Sequence, residues 1–145
     1  MRAMIATLPG DGVGPEVTAA AVLVLQAVAE SNDHDFKFSE ALIGGVAIDA
    51  TGKALPVATR HVVTRADAVL LGAVGGPKWS DPSALVRPEQ GLLELRALLN
   101  VYANIRPVAV HPALASAAPL KAELLANVDI VFVSSSALKI GRAHV

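Results

Sequence analysis

The fold is decided by Met4-Ile5-Ala6-Thr7-Leu8-Pro9-Gly10-Asp11-Gly12-Val13-Gly14-Pro15-Glu16-Val17. Met4 to Leu8 is a short apolar run of the kind that forms a strand buried in a sheet. Pro9-Gly10-Asp11-Gly12 ends it as a turn. Pro15 then suits the first turn of a helix, where a missing N–H loses no partner. Val17, Ala21, Val24 and Val28 recur at helical spacing, with Ala20 and Leu25 widening the stripe. That spacing predicts a helix that turns these residues to the core and stops near Ser31-Asn32-Asp33.

Outward from this unit the same alternation continues. Phe36 to Leu42 reads as a weakly alternating second strand, with Phe36, Phe38 and Glu40 on one face. Gly44-Gly45 opens a loop, and Ala47 to Gly52 reads as a turn or short helix. A further helix is expected from Pro56 to about Arg65, with Val57, His61 and Thr64 or Arg65 on one face. Asp67 to Val74 is expected to be a strand buried on both faces. Gly91 to Leu99 reads as a short helix, Tyr102 to Val110 as an extended segment broken by Pro107, Pro119 to Leu125 as a helix, and Val128 to Val133 as a buried strand. Pro112 to Ala118 reads as a surface connection between subdomains. Strand, helix, strand, helix, strand in sequence means an α/β fold.

Composition removes several classes. The chain has 145 residues and no cysteine, so a disulfide scaffold, a cysteine zinc site and a thiol nucleophile are excluded. The net charge of -1 argues against a nucleic-acid partner, which calls for a basic surplus. No uninterrupted apolar run approaches the roughly 18 residues of a membrane span. The short apolar start leads into Pro9-Gly10-Asp11 without a signal-type cleavage site. A soluble cytoplasmic protein is the expectation.

The chemistry-bearing residues gather at strand ends. Gly10 to Pro15 joins a strand to a helix, a place where backbone N–H groups can cradle an anion. A plain turn into a helix cap is an equal alternative, since Pro15 and Glu16 break the dinucleotide fingerprint. Gly72-Ala73-Val74-Gly75-Gly76-Pro77-Lys78-Trp79 ends the strongest strand, and ligands in open α/β sheets bind off such ends. Lys78 could meet an anion, whereas Trp79 suits a packing anchor better. Leu92 and Arg96 lie four apart on one helical face. Arg96 and Arg106 beside an apolar patch would suit a substrate with carboxylates at one end and an alkyl group at the other. The alternative is that Arg96 pairs with Glu89 or Glu94 on a solvated surface. His34, His61, His111 and His144 have no metal spacing, and no nucleophile has an adjacent base.

Taken together these stretches resemble the β-decarboxylating dehydrogenases, the isocitrate/isopropylmalate dehydrogenase family. The resemblance is carried by Leu8 to Val17, Gly44 to Asp49, Leu70 to Trp79, Arg87 to Leu93 with Leu95-Arg96, and Tyr102 to Pro107, and it covers residues 1 to about 133. Leu92-Leu93 points to the isopropylmalate branch. The resemblance implies the family's own three-layer α/β sandwich, here truncated. It also implies NAD-dependent oxidative decarboxylation of 3-isopropylmalate to 4-methyl-2-oxopentanoate in leucine biosynthesis, with Mg2+ or Mn2+ and a homodimer. On the matching positions Arg96 and Arg106 would hold the malate carboxylates and Leu92 would contact the isopropyl group. Val13, Gly75 and Gly76 would border NAD, and Glu89 would lie near the nicotinamide ribose. Relatives acting on tartrate, D-malate or homoisocitrate, and a small anion- or nucleotide-binding module, are the alternatives.

The departures from the family are as informative. Full-length members are more than twice as long, and Ser134 stands where the family continues with an arginine. No catalytic tyrosine, lysine or metal-binding aspartate matches in this chain, so the fragment alone is expected to be inactive, with an exposed strand edge and apolar patches. Residues 1–107 would be the first part of the cofactor- and substrate-binding domain and residues 108–133 the start of a dimerisation domain. Residues 134–145 are expected to be a tail outside the family pattern. Ile140-Gly141-Arg142-Ala143-His144-Val145 is what a common short-read sequencing adapter encodes, so residues 140–145 are expected to be adapter translation.

Overall fold

A computed structural model describes residues 1–81, 83–125 and 128–135. They form two units, Met1–Asn100 and Val101–Val145. The tail 136–145, with the expected adapter-encoded residues, lies outside the described residues.

The first unit is built on β1 (Arg2–Gly10), which lies between β2 (Asp35–Glu40) and β3 (Ala68–Ala73) in an all-parallel sheet of order β2-β1-β3. Ala6 stands opposite Ser39 on one side and Val69 on the other. Parallel neighbours need crossovers. Helix α1 (Gly14–Ser31) makes the first, and α2 (Gly45–Thr51) with α3 (Val57–Arg65) makes the second. Helix α4 (Pro88–Leu98) follows β3. Alternation along β1 sends Ala6 and Leu8 to one face, where they join Ile43, Leu55, Val63 and Leu95 in the core. Burying each of the larger side chains contributes about 1.5–3 kcal/mol. Ile5 and Thr7 point to the other face and are also buried, under α1.

The α/β alternation and the bounds of α1 and α3 follow the sequence closely, whereas α4 starts ahead of the expected Gly91, the last helix is confined to Ala122–Leu125, and the buried faces differ. Helix α1 starts at Gly14 and ends at Ser31 as expected, but its buried residues are Gly14, Thr18 and Ala29. Val17, Val24 and Val28 of the expected face are exposed. The reason is close approach: a Cβ on Gly14 would overlap the Pro9 carbonyl, and one on Gly72 would overlap the Pro9 carbonyl and crowd the Thr18 hydroxyl. Small residues therefore seat α1, and its branched residues face outward. In α3 the buried pair is Thr59 and Val63, and Val57 and His61 are exposed. The Thr59 hydroxyl donates to the Leu42 carbonyl at 2.6 Å, which turns that face inward. Strand β3 is half-buried along most of its length rather than enclosed. It is an edge strand among the described residues, paired with β1 alone.

An open groove of about 750 Å³ runs between α1 and β2, lined by Thr18, Ala19, Val22, Phe38, Ala41 and Leu42 among others. Gly10 and Pro15 of the glycine turn line it as well. Among the described residues no helix is long and apolar enough to cross a membrane.

The second unit is an antiparallel ribbon of β4 (Ala103–Ala109) and β5 (Asp129–Ser135), with Ile105 opposite Val133 and Pro107 opposite Val131. Pro107 does not break the strand as expected. The ribbon has only two described strands, so an outer edge tolerates a residue without an N–H. A 3-10 turn at Pro112–Ala117 and the short helix α5 (Ala122–Leu125) join the two strands.

Helix α4 provides a test of packing against propensity. Replacing Gly91 by Ala favours an isolated helix by roughly 0.5–1 kcal/mol. Yet a Cβ there would lie 2.5 Å from the Ala54 carbonyl oxygen. Gly91→Ala is therefore expected to destabilise the chain, by about 1–3 kcal/mol as for other overpacked sites. A lower urea midpoint at unchanged slope is the expected readout; a higher midpoint would show that α4 does not press on Ala54.

Candidate functional site

The site residues of the first unit sit on the loops that leave the carboxyl ends of β1 and β3 and along α4. The first loop turns at Asp11, whose N–H donates to the Ala73 carbonyl at 2.7 Å and so ties the ends of β1 and β3 together. The Asp11 side chain is 1% exposed. Its Oδ2 accepts the N–H of Gly45 at 2.7 Å and the N–H of Gly75 at 2.8 Å. Its Oδ1 accepts the N–H of Val46 at 2.8 Å. One carboxylate thus joins three segments far apart in sequence. Gly44, at φ 81°, is where another residue would collide, because a Cβ there would overlap Asp11 Oδ2. Here the left-handed backbone and the close approach both require glycine.

The donors that this carboxylate takes come from the loops at Gly45-Val46 and Gly75; within the turn itself the Gly14 N–H donates to the Asp11 carbonyl.

The loop after β3 is held at its far end as well. The Trp79 ring lies over Gly45, so closely that any Cβ there would overlap it. Trp79 Nε1 donates to Asp49 Oδ1 at 3.2 Å, and Lys78 Nζ donates to Asp49 Oδ2 at 2.7 Å. The Lys78 ammonium also stands 5.3 Å from the Trp79 ring centroid, a cation–π distance. Trp79 is therefore the packing anchor its chemistry suggested, and Lys78 meets a carboxylate of its own chain. The hydrogen bonds from Lys78 and then Trp79 hold the Asp49 carboxyl below its ordinary pKa. The Ser83 hydroxyl and N–H do the same for Asp81.

Helix α4 brings the expected residues into one line. Its first turn is closed by Gln90, whose side-chain oxygen accepts the Arg87 N–H at 3.2 Å. Glu89, Leu92 and Arg96 follow at spacings of three and four, on one helical face. A Cβ on Gly75 would lie 3.0 Å from Glu89 Oε1, so Glu89 stands directly beside the Gly75 loop. Glu89 is exposed and makes no hydrogen bond among the described residues. Arg96 is half-buried and likewise has no ion pair among them. The alternative pairing with Glu94 is not realised, because Glu94 pairs with Arg60. Val13, 56% exposed, caps α1 two residues beyond Asp11. Arg106 is exposed on β4 of the second unit.

Sequence reasoning brought Gly75, Gly76, Glu89, Leu92 and Arg96 forward and missed Asp11. The signal was an acid between two glycines at the end of a buried strand, where only an acceptor for backbone N–H groups belongs.

The profile of the isocitrate/isopropylmalate dehydrogenase family matches residues 4–136. The chain belongs to this family. It is 59% identical over 133 residues to a 3-isopropylmalate dehydrogenase from Anaeromyxobacter dehalogenans, covering 92% of this chain and 38% of that one. The Bacillus subtilis 3-isopropylmalate dehydrogenase is 52% identical over 133 residues, covering 92% and 36% respectively. The chain thus spans a little over a third of the length of the curated relatives it matches. Among solved structures, a β-decarboxylating dehydrogenase from Thermococcus kodakarensis superposes with a TM-score of 0.61 at 30% identity, over 93% of this chain and 34% of that one. A Thermus thermophilus protein gives a TM-score of 0.69 at 26% identity, over 92% and 24%. The parallel sheet of the first unit is therefore a family feature.

The Asp49 contacts give a pH prediction. A depressed pKa in the folded chain means that the contacts favour the ionised form; their stabilisation is present above the unfolded pKa and is lost as pH falls through the folded one. Trp79 emission is expected to shift below about pH 4. Asp49→Asn is expected to abolish that shift, which separates it from the Asp81 titration. An acid shift unchanged in Asp49→Asn would show that Asp49 does not report through Trp79.

Proposed function

We propose that the chain is the amino-terminal part of an NAD-dependent 3-isopropylmalate dehydrogenase, which oxidises and decarboxylates 3-isopropylmalate to 4-methyl-2-oxopentanoate in leucine biosynthesis. The observation that carries this reading is the single face of α4. It presents an acceptor beside the Gly75 loop, then an apolar residue, then an arginine without a partner among the described residues. A malate with an alkyl branch needs such a sequence of groups: a guanidinium for a carboxylate and an aliphatic side chain for the isopropyl group.

In this reading Arg96 and Arg106 bind the two carboxylates and fix the orientation of the C2–C3 bond. Leu92 excludes water from the isopropyl group. Glu89 accepts hydrogen bonds from the ribose hydroxyls of NAD, and Val13 with Gly75-Gly76 borders the cofactor. The residues fit that group, because Glu89 keeps both oxygens available at the edge of a loop without side chains. Bound there, NAD would supply a hydride acceptor for the C2 carbinol. For Mg2+ or Mn2+ the fit fails among the described residues, where no three His, Asp or Glu side chains converge; its ligands would come from elsewhere in the full-length protein. A cytoplasmic homodimer is part of the same proposal.

A chimera tests it. Residues 1–133 would replace the matching part of the Anaeromyxobacter dehydrogenase. NAD reduction with 3-isopropylmalate is the expected result, against none from the 145-residue chain alone. A folded chimera that prefers tartrate, D-malate or homoisocitrate would move the reading to another branch, and NAD reduction by the isolated chain would refute the inactivity. Arg96→Lys in the chimera loses a forked pair of charge-assisted hydrogen bonds. Its KM for isopropylmalate is expected to rise roughly 10–100-fold.

A further inference from the structure

We infer that Asp11 is a positioning residue for the cofactor-bordering loop: its buried carboxylate sets where Gly75-Gly76 stands relative to α2. The inference rests on the reading that NAD meets this loop, and it concerns a residue that itself touches neither cofactor nor substrate.

The argument is geometric. Beyond β3 the chain has left the sheet ladder, so nothing in the sheet fixes the loop. Gly75 has φ 99°, a conformation that only a glycine holds easily. What fixes it is its N–H on Asp11 Oδ2 at 2.8 Å. The same oxygen takes the Gly45 N–H at 2.7 Å, and Oδ1 takes that of Val46 at 2.8 Å. Asp11 cannot follow the loop, because its own N–H is on the Ala73 carbonyl and its side chain is enclosed. The carboxylate therefore works as a fixed post between β1, α2 and the loop. Trp79 then binds the far end of the same loop to Gly45 and Asp49. With both ends held, Gly75 stays beside Glu89 at the place assigned to the ribose.

Only a carboxylate does this. It offers two oxygens with no proton in the way, and three N–H donors converge on them. An amide of the same shape turns one of those oxygens into a donor, which must face an N–H. Asp11→Asn therefore loses either the Val46 contact or both Oδ2 contacts, and Asp11→Ala loses all three.

The test uses the active chimera. Asp11→Asn is expected to raise KM for NAD about tenfold and Asp11→Ala further, with KM for isopropylmalate within about twofold of the parent and kcat little changed. A purely structural role would instead lower the active fraction, so a reduced kcat with an unmoved KM for NAD overturns the inference. If the parent chimera does not reduce NAD, the dehydrogenase reading fails separately. The positioning claim is then read in the 145-residue chain, where Trp79 is the lone tryptophan. Asp11→Asn is expected to increase acrylamide quenching of Trp79 while a cooperative melt is retained. Unchanged quenching overturns the claim.

Discussion

The first unit depends on a carboxylate buried where a strand ends. Three parallel strands place their carboxyl ends side by side, and the chain that leaves them carries N–H groups with no ladder partner. Buried donors of this kind must be satisfied, and each hydrogen bond to a charged acceptor contributes about 1.5–3 kcal/mol. Asp11 satisfies three of them from one point. Much of the local sequence follows from that post. Gly44 is glycine because Asp11 occupies the space of its side chain, and Gly45 is glycine because Trp79 lies on it. Gly14 and Gly72 let α1 approach the strand ends closely enough for the turn to close.

A consequence is that the loops proposed to border NAD are held by contacts within the chain. Glu89 and Arg96 belong to a helix whose own seat is the Gly91–Ala54 contact, and Leu95 anchors its inner face in the core. The outer stripe of that helix is thereby turned away from the core. Glu89 and Arg96 are then fixed relative to each other by helical geometry alone, about two turns apart.

The strand–helix alternation and the starts of the first two long helices were legible in the sequence. Pro15 and Pro56 mark the starts of α1 and α3, and the apolar runs at Met4 and Ala68 mark strands. Which face each helix buries was not legible. Periodicity weighs residues by apolarity, and α1 is seated by Gly14, Thr18 and Ala29, because distance to the sheet selected size over apolarity. The outward valines of α1 and the half-buried β3 share a cause: the described chain supplies no further layer or strand to meet them. Asp11 escaped notice because an acid in a glycine turn resembles ordinary turn chemistry. Only the sheet shows that donors from positions 45, 46 and 75 meet at its side chain. The candidate site was legible chiefly through resemblance; from the residues alone the solvated pairing of Arg96 was the favoured reading, and only the structure shows Arg60 taking Glu94.

The central claim is that one carboxylate holds three backbone segments as a unit. Native-state hydrogen exchange of the Gly45, Val46 and Gly75 amides, followed in an isotopically labelled chain, tests it most directly. The account predicts that all three are protected and open together with one free energy, although Gly75 lies in a loop outside the sheet ladder. A Gly75 amide that exchanges at the rate of an open loop, while Gly45 and Val46 remain protected, would contradict it.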